Sequence, residues 1–284
     1  MMIELAIGDT YGAGFEYVDE SIVYEYNNLK NYRKHQKYNI GNGKYTDDTQ
    51  MSLAIAELLI EGVEFTPLNI VNKFIEVFKR DEREGYATGF YSFLQEVKTG
   101  EEFLQRINPK SDKSGAAMRA LPIGFLPNIK DVIKYSTIQS KLTHNTPLGI
   151  NAGVASALMS HYFIYNLGDK NDLGIFLESH VEGEWSKPWS GLVGEKGYMD
   201  VRAAITAIKE KNSLSKILKK CIDFTGDVDT VATIALGAAS CSSEIKQDLP
   251  KNLFNDLENG KYGRDYLIEL DKKLRLKFFG GENV

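Results

Sequence analysis

The chain has 284 residues, 43% hydrophobic and 26% charged, with 34 Lys and Arg against 39 Asp and Glu for a formal charge of −5. That balance excludes a disordered or fibrous chain, allows a sizeable core, and gives no electrostatic footprint for duplex nucleic acid. Cys221 and Cys241 are too few for a disulfide framework or a Cys-based zinc site, and no signal segment or membrane-length apolar run is visible, so a cytoplasmic protein with no membrane partner is expected.

A short apolar segment, Ile3 to Ile7, leads into Gly8-Asp9-Thr10-Tyr11-Gly12-Ala13-Gly14-Phe15-Glu16. Its glycines read either as a turn before a helix or as points of close backbone or ligand approach. It is neither a Walker loop nor a dinucleotide-binding fingerprint. Asp9 and Glu16 add two carboxylates. Residues 20 to 44 are rich in Tyr and Asn, end in Gly41-Asn42-Gly43 and show no helical period. They are expected to form a loop that folds over a substrate.

Tyr45-Thr46-Asp47-Asp48-Thr49-Gln50-Met51 follows, and apolar residues at Met51, Ala54, Ile55, Leu58 and Leu59 predict a helix with one buried face. Two carboxylates flanked by hydroxyls stand at its start, where they serve either as ordinary N-caps or as oxygen ligands. Residues 67 to 80 predict a helix opened by Pro67, and 86 to 107 one or two more, their aromatic stripes belonging to the core. Ser111, Ser114 and Gly115 precede a run of small residues. That stretch is either a Ser-capped helix or a helix start whose N–H groups suit phosphate.

His144 precedes an Ala- and Gly-rich helix from Leu148 to Phe163; among oxygen ligands an imidazole suits substrate contact better than metal. Residues 183 to 198 hold both tryptophans in a Gly-rich loop, and helices are expected over Val201 to Ile208 and Leu214 to Ile222. Thr225-Gly226-Asp227-Val228-Asp229-Thr230 then repeats the pattern of carboxylates and hydroxyls opening a helix, here Val231 to Ser240, apolar nearly all round and hence buried. Four carboxylates at the mouths of two buried helices repel one another unless neutralised, and a divalent cation is the economical answer. An all-oxygen set suits Mg²⁺, Mn²⁺ or Ca²⁺, not zinc or copper. Helical patterns close the chain around Leu253 to Leu257 and Tyr266 to Leu276. With no period-2 alternation, the fold class is all-α, in one domain over residues 1–284.

Gly8-Asp9-x-x-Gly12 with Glu16, Thr46-Asp47-Asp48-Thr49, Ser114-Gly115-Ala116-Ala117-Met118-Arg119, Thr143-His144 and Gly226-Asp227-x-Asp229-Thr230 together resemble, in order, the motifs of the ADP-ribosylglycohydrolase family. That family includes the ADP-ribosylarginine and ADP-ribosylserine hydrolases and the dinitrogenase-reductase-activating glycohydrolase. The resemblance implies a single orthogonally packed multi-helix domain with a binuclear magnesium cleft. It makes Thr46, Asp47, Asp48, Asp227, Asp229 and Thr230 the metal ligands, and Glu16 a mobile acid at the metal or the activated water. Asp47 and Asp229 join Glu16 as catalytic residues. Ser111, Ser114 and Gly115 would lie against the diphosphate, with His144 beside the ADP-ribose.

Val228 stands where the family has Thr, and Asp112-Lys113-Ser114 replaces a Gly- and Asn-rich approach to the phosphates. The implied activity is Mg-dependent hydrolysis of the glycosidic bond between ADP-ribose and an acceptor, first of all arginine on an ADP-ribosylated protein. A small-molecule conjugate such as O-acyl-ADP-ribose and non-catalytic binding of ADP-ribose are the alternatives.

Overall fold

The computed structural model describes residues 1–280, which form fifteen α-helices and no strand beyond isolated bridges. The first six are α1 (Met2–Ala13), α2 (Glu20–Tyr26), α3 (Asp47–Glu61), α4 (Pro67–Arg80), α5 (Thr88–Glu96) and α6 (Gly100–Arg106). After these come α7 (Gly115–Met118), α8 (Ile129–Lys141), α9 (Pro147–Ile164), α10 (Leu173–Glu178) and α11 (Gly197–Glu210). The chain continues through α12 (Leu214–Asp223), α13 (Val228–Ala239), α14 (Lys251–Asp256) and α15 (Arg264–Phe279). The single-domain span of 1–284 expected from the sequence runs past the described residues at 281–284.

Two helices form the centre. Every residue of α13 and every residue of α1 except Glu4 is buried, so both pack on all sides. They touch backbone to backbone: a Cβ on Gly8 would stand 2.5 Å from the Ala232 carbonyl oxygen, and one on Gly12 would stand 2.4 Å from Cα of Asp229. Only glycine permits that approach. Helices α3, α9, α11 and α12 surround α13, while α3 and α15 flank α1. One apolar core runs from Met1 to Leu274.

Local chemistry sets the helix ends that matter. Thr46 caps α3, its hydroxyl accepting from the Asp48 N–H at 3.4 Å, and Gly62 closes it in the left-handed region at φ 70°. Thr66 and Thr146 cap α4 and α9 in the same way, each followed by a proline that lacks the N–H a first-turn residue leaves unpaired.

Of the two readings of the glycine-rich stretch, close backbone approach holds: Gly8 to Gly12 lie inside α1, where packing against α13 outweighs the low helix propensity of glycine. Two expectations change. Residues 20 to 44 are not wholly loop: α2 occupies Glu20–Tyr26, and it buries only Val23, too little to leave an apolar period. The helix after Ser114 is the four-residue α7, followed by a 3-10 turn at Leu121–Phe125 that contains Pro122.

Candidate active site

Helix α1 braces both acidic stretches. Asp9 accepts from the Thr46 hydroxyl at 2.8 Å, the Thr46 N–H at 2.9 Å, the Thr49 N–H at 3.0 Å and the Thr49 hydroxyl at 2.5 Å. Those bonds satisfy first-turn donors of α3 and fix the helix end that carries Asp47 and Asp48. One turn further along α1, Gly12 lets the start of α13, with Asp229, lie against the same helix. The turn before α13 is built from two left-handed residues, Thr225 at φ 61° and Gly226 at φ 91°. A Cβ on Gly226 would stand 1.9 Å from the Val193 carbonyl oxygen, which accepts the Asp227 N–H at 3.0 Å.

The two stretches therefore open on one cleft, lined by Asp47 and Asp48 from α3 and by Asp227 and Asp229 from the start of α13. Carboxylate oxygens of Glu16, Asp227 and Asp229 lie within 4.8 Å of one another. Burial first, then the neighbouring charge of Asp9, Asp47 and Glu16 respectively, holds Asp47, Asp48 and Asp229 well above the usual carboxylate range. Asp227 is pushed up to about 6, chiefly by burial and further by Glu16. The Thr230 hydroxyl acts on both Asp48 and Asp227 in the direction of their charged forms. Oδ2 of Asp48 is buried with no hydrogen-bond partner. Crowded carboxylates, hard oxygen donors and an orphaned buried oxygen fit a divalent cation of the Mg²⁺, Mn²⁺ or Ca²⁺ kind.

Glu16 is held from the loop that precedes α3. His35 Nδ1 accepts the N–H groups of Lys37 at 3.0 Å and Tyr38 at 3.2 Å, so the ring proton sits on Nε2. That Nε2–H donates to Glu16 Oε2 at 2.6 Å.

The acids form one wall of a cleft of about 1050 Å³. Ser111, Ser114, Gly115 and His144 line the same cleft, as do His35 to Tyr38 and the aromatic rings of Tyr86, Phe90 and Phe93. Arg119 donates to Thr143 Oγ1 at 2.8 Å, leaving the Thr143 hydroxyl to donate to His144 Nδ1 at 2.6 Å. Burial, followed by the charge of Arg119, lowers His144 to about 3, so its ring is neutral with the proton on Nε2. A Cβ on Gly115 would stand 2.8 Å from His144 Cε1, so glycine is what lets the imidazole edge lie there. Because α7 is a single turn, backbone N–H groups are what this wall offers an anion, more than a helix dipole, and Lys113 Nζ is paired with Glu195 at 2.6 Å.

Of the residues singled out from the sequence, Glu16, Asp47, Asp48, Ser111, Ser114, Gly115, His144, Asp227, Asp229 and Thr230 all line the cleft. Thr46 does not; it is buried behind the wall, its hydroxyl given to Asp9. Three residues of the site carry roles the sequence did not assign: the Asp9 clamp, the His35 donor and the Arg119 support. Asp9 carried a signal, a carboxylate inside an otherwise apolar segment, whereas the others depend on contacts between distant elements.

A model of the ADP-ribosylglycohydrolase family matches residues 1–282. The chain belongs to the ADP-ribosylglycohydrolase family. Family membership makes it a glycosidase-type hydrolase acting on ADP-ribose conjugates, and the family is metal-dependent. The glycohydrolase is 32% identical over 127 residues to ADP-ribosylhydrolase ARH3 of Xenopus tropicalis, a match covering 42% of this chain and 36% of that protein. The matched part thus spans about a third of the frog relative's length. It is 23% identical over 286 residues to the ADP-ribosyl-[dinitrogen reductase] glycohydrolase of Rhodospirillum rubrum, covering 96% of this chain and 93% of that one. A solved structure, an ADP-ribosylglycohydrolase-related protein complex, shares the fold with a TM-score of 0.71 at 19% identity, over 96% of this chain and 94% of that one. No helix among the described residues is long and apolar enough to cross a membrane.

Proposed function

We propose that this glycohydrolase cleaves the bond between C1″ of ADP-ribose and an acceptor, with arginine on a protein as the first substrate, in a reaction dependent on two magnesium ions. One observation carries the reading. The carboxylate wall and the Ser111–His144 wall belong to a single cleft of about 1050 Å³, the upper end of what one small ligand occupies. ADP-ribose is two-ended in the same way, with a sugar diol at one end and a diphosphate toward the other. A protein acceptor is supported by the Rhodospirillum rubrum relative, whose name makes an ADP-ribosylated protein its substrate.

In this reading Asp47, Asp48, Asp227, Asp229 and Thr230 hold the cations, Thr46 bracing them from behind through its bond to Asp9, and Mn²⁺ or Ca²⁺ is an admissible substitute. When bound, such ions polarise oxygen ligands and lower the pKa of water. The side chains do the remaining work. Ser111 and the N–H groups of Ser114 and Gly115 bind the diphosphate, while neutral His144 offers Nε2–H to the ADP-ribose. Positive charge grows at C1″ as the bond breaks, and Glu16, Asp47 and Asp229 stabilise it. Glu16, gripped by His35 at Oε2, takes the proton of the attacking water at Oε1 and passes it on to the departing acceptor nitrogen, whose bond to C1″ breaks as the water oxygen adds there. The continuous core supports reading residues 1–284 as one domain, and the free thiols of Cys221 and Cys241 suit a reducing cytoplasm.

The test combines Asp47→Asn with Asp229→Asn. Loss of ADP-ribose release from an arginine-modified protein is expected, and unchanged release removes the proposal. Matched Arg-, Ser- and acyl-linked conjugates, assayed with and without Mg²⁺, rank the acceptors. Faster turnover of an acyl conjugate would reassign the acceptor to a small molecule.

A further inference from the structure

Asp200 takes no part in the chemistry above. It sits in the first turn of α11, is fully buried, and neither of its carboxylate oxygens has a hydrogen-bond partner. Its neighbours along the helix, Val201, Ala203 and Ala204, are ordinary core residues. A carboxylate among them loses its hydration and gains no donor in return, which is unfavourable unless something cationic or aqueous sits beside it.

The path of the chain into α11 defines what that carboxylate faces. Val193 donates its N–H to the Thr225 carbonyl at 2.9 Å and accepts the Asp227 N–H at 3.0 Å, pinning the approach to α11 against the turn that starts α13. On the other side, Gly197 donates its N–H to the Asp112 carbonyl at 3.1 Å, and a Cβ there would stand 2.9 Å from the Lys113 oxygen. The first turn of α11 is thus clamped between the α13 entrance and the segment before α7. Burial, then the neighbouring charges of Asp227 and Asp48, push Asp200 well above the usual carboxylate range, a crowding that a cation relieves. Asp48 itself has a buried oxygen without a partner. Asp200 is absent from the cleft lining, and the helix that carries it packs on α13.

We propose that Asp200 is a further anionic member of the cation site, an outer carboxylate behind Asp48 and Asp227 that strengthens cation binding without touching substrate. The inference rests on the proposed metal dependence of the same site. Outer partners of this kind change metal affinity about 10- to 100-fold when removed. Asp200 is a positioning residue, and metal binding is its direct readout.

The experiment uses the full chain stripped by chelator, with Mn²⁺ as the probe, followed by calorimetry and by the paramagnetic resonance of free Mn²⁺. Asp200→Asn keeps the side-chain volume and removes the charge. Its Mn²⁺ dissociation constant should rise about 10- to 100-fold, with a smaller upward shift in melting temperature on adding Mn²⁺, while the exposed control Glu269→Gln behaves as wild type. If wild type binds no Mn²⁺, the metal reading and this inference fail together. If wild type binds and Asp200→Asn binds equally well, this inference alone fails. A fall in metal-free stability large enough to account for the weaker binding assigns Asp200 to folding and also overturns it. Should Asp200→Asn not fold, Asp200→Ser carries the same expectation and the same refutations.

Discussion

Gly12→Ala tests whether backbone contact between α1 and α13 holds the candidate site together. A Cβ at Gly12 would stand 2.4 Å from Cα of Asp229, 2.8 Å from its nitrogen and 2.9 Å from the Val228 carbonyl oxygen. All three are backbone atoms, so no rotamer change relieves the clash. Ordinary contact begins at 3.4 Å against the 2.4 Å here, so the helices must part by about 1 Å at this point. Overpacking of this kind costs about 1–3 kcal/mol. A helical Gly→Ala change returns about 1 kcal/mol through propensity, leaving a net loss of roughly 0–2 kcal/mol.

Rate is the sharper readout, because the displaced residue carries a carboxylate of the site and a 1 Å misplacement costs on the order of 100-fold. Gly8→Ala is the control: its Cβ would meet the Ala232 oxygen at 2.5 Å, a similar clash one turn deeper in the helix pair. Urea unfolding should give both variants similar stability. Only Gly12→Ala should lose about 100-fold in kcat for ADP-ribose release. A Gly12→Ala enzyme as fast as wild type refutes the reasoning, and equal rate losses in both variants would assign the effect to the helix pair as a whole.

Three further outcomes follow from the same geometry. Asp9→Asn presents an NH₂ donor to a site that holds four donors from Thr46 and Thr49; denaturant unfolding should report a loss of roughly 1–3 kcal/mol. His35→Ala removes the 2.6 Å bond to Glu16, and kcat should fall about tenfold with little change in KM; a change confined to KM would move His35 to substrate binding. Burial raises Asp227 to about 6 and holds Asp48 and Asp229 well above their ordinary range. Above the unfolded value of about 3.9, the folded metal-free chain then binds more protons than the unfolded one, so its stability falls as pH rises toward neutrality. Thermal melts in chelator should show that fall between pH 4.5 and 7, and saturating Mg²⁺ should reduce it; a chelator profile that climbs with pH contradicts the assignment.

The sequence by itself determined the helical class and most of the helices. Ile70, Val71, Phe74, Val77 and Phe78 mark one buried face behind an opening Pro67, and α4 spans Pro67–Arg80. The small apolar run after Asp229 marked a helix buried on all sides, as α13 is. These readings succeed because periodicity and caps act over a few residues, within the reach of a sequence window. Short or unusual elements escape it. Helix α2 buries a single side chain, and the glycines of α1 break helix propensity for the sake of a partner more than two hundred residues away.

Tertiary structure alone decided how the acids are brought together and what supports them. Asp9 reads as one more carboxylate until α3 docks on α1 and supplies its donors, and His35 reads as a loop histidine until its Nε2–H meets Glu16. Asp200 reads as a helix-start residue until α11 closes over it and leaves its oxygens buried with no protein donor. Hydrogen-bond partnership and desolvation depend on which elements cross and how closely. In this molecule that is set by bare glycine backbone at Gly8 and Gly12 pressed against α13, a close approach the glycines signal but whose partner no local pattern names.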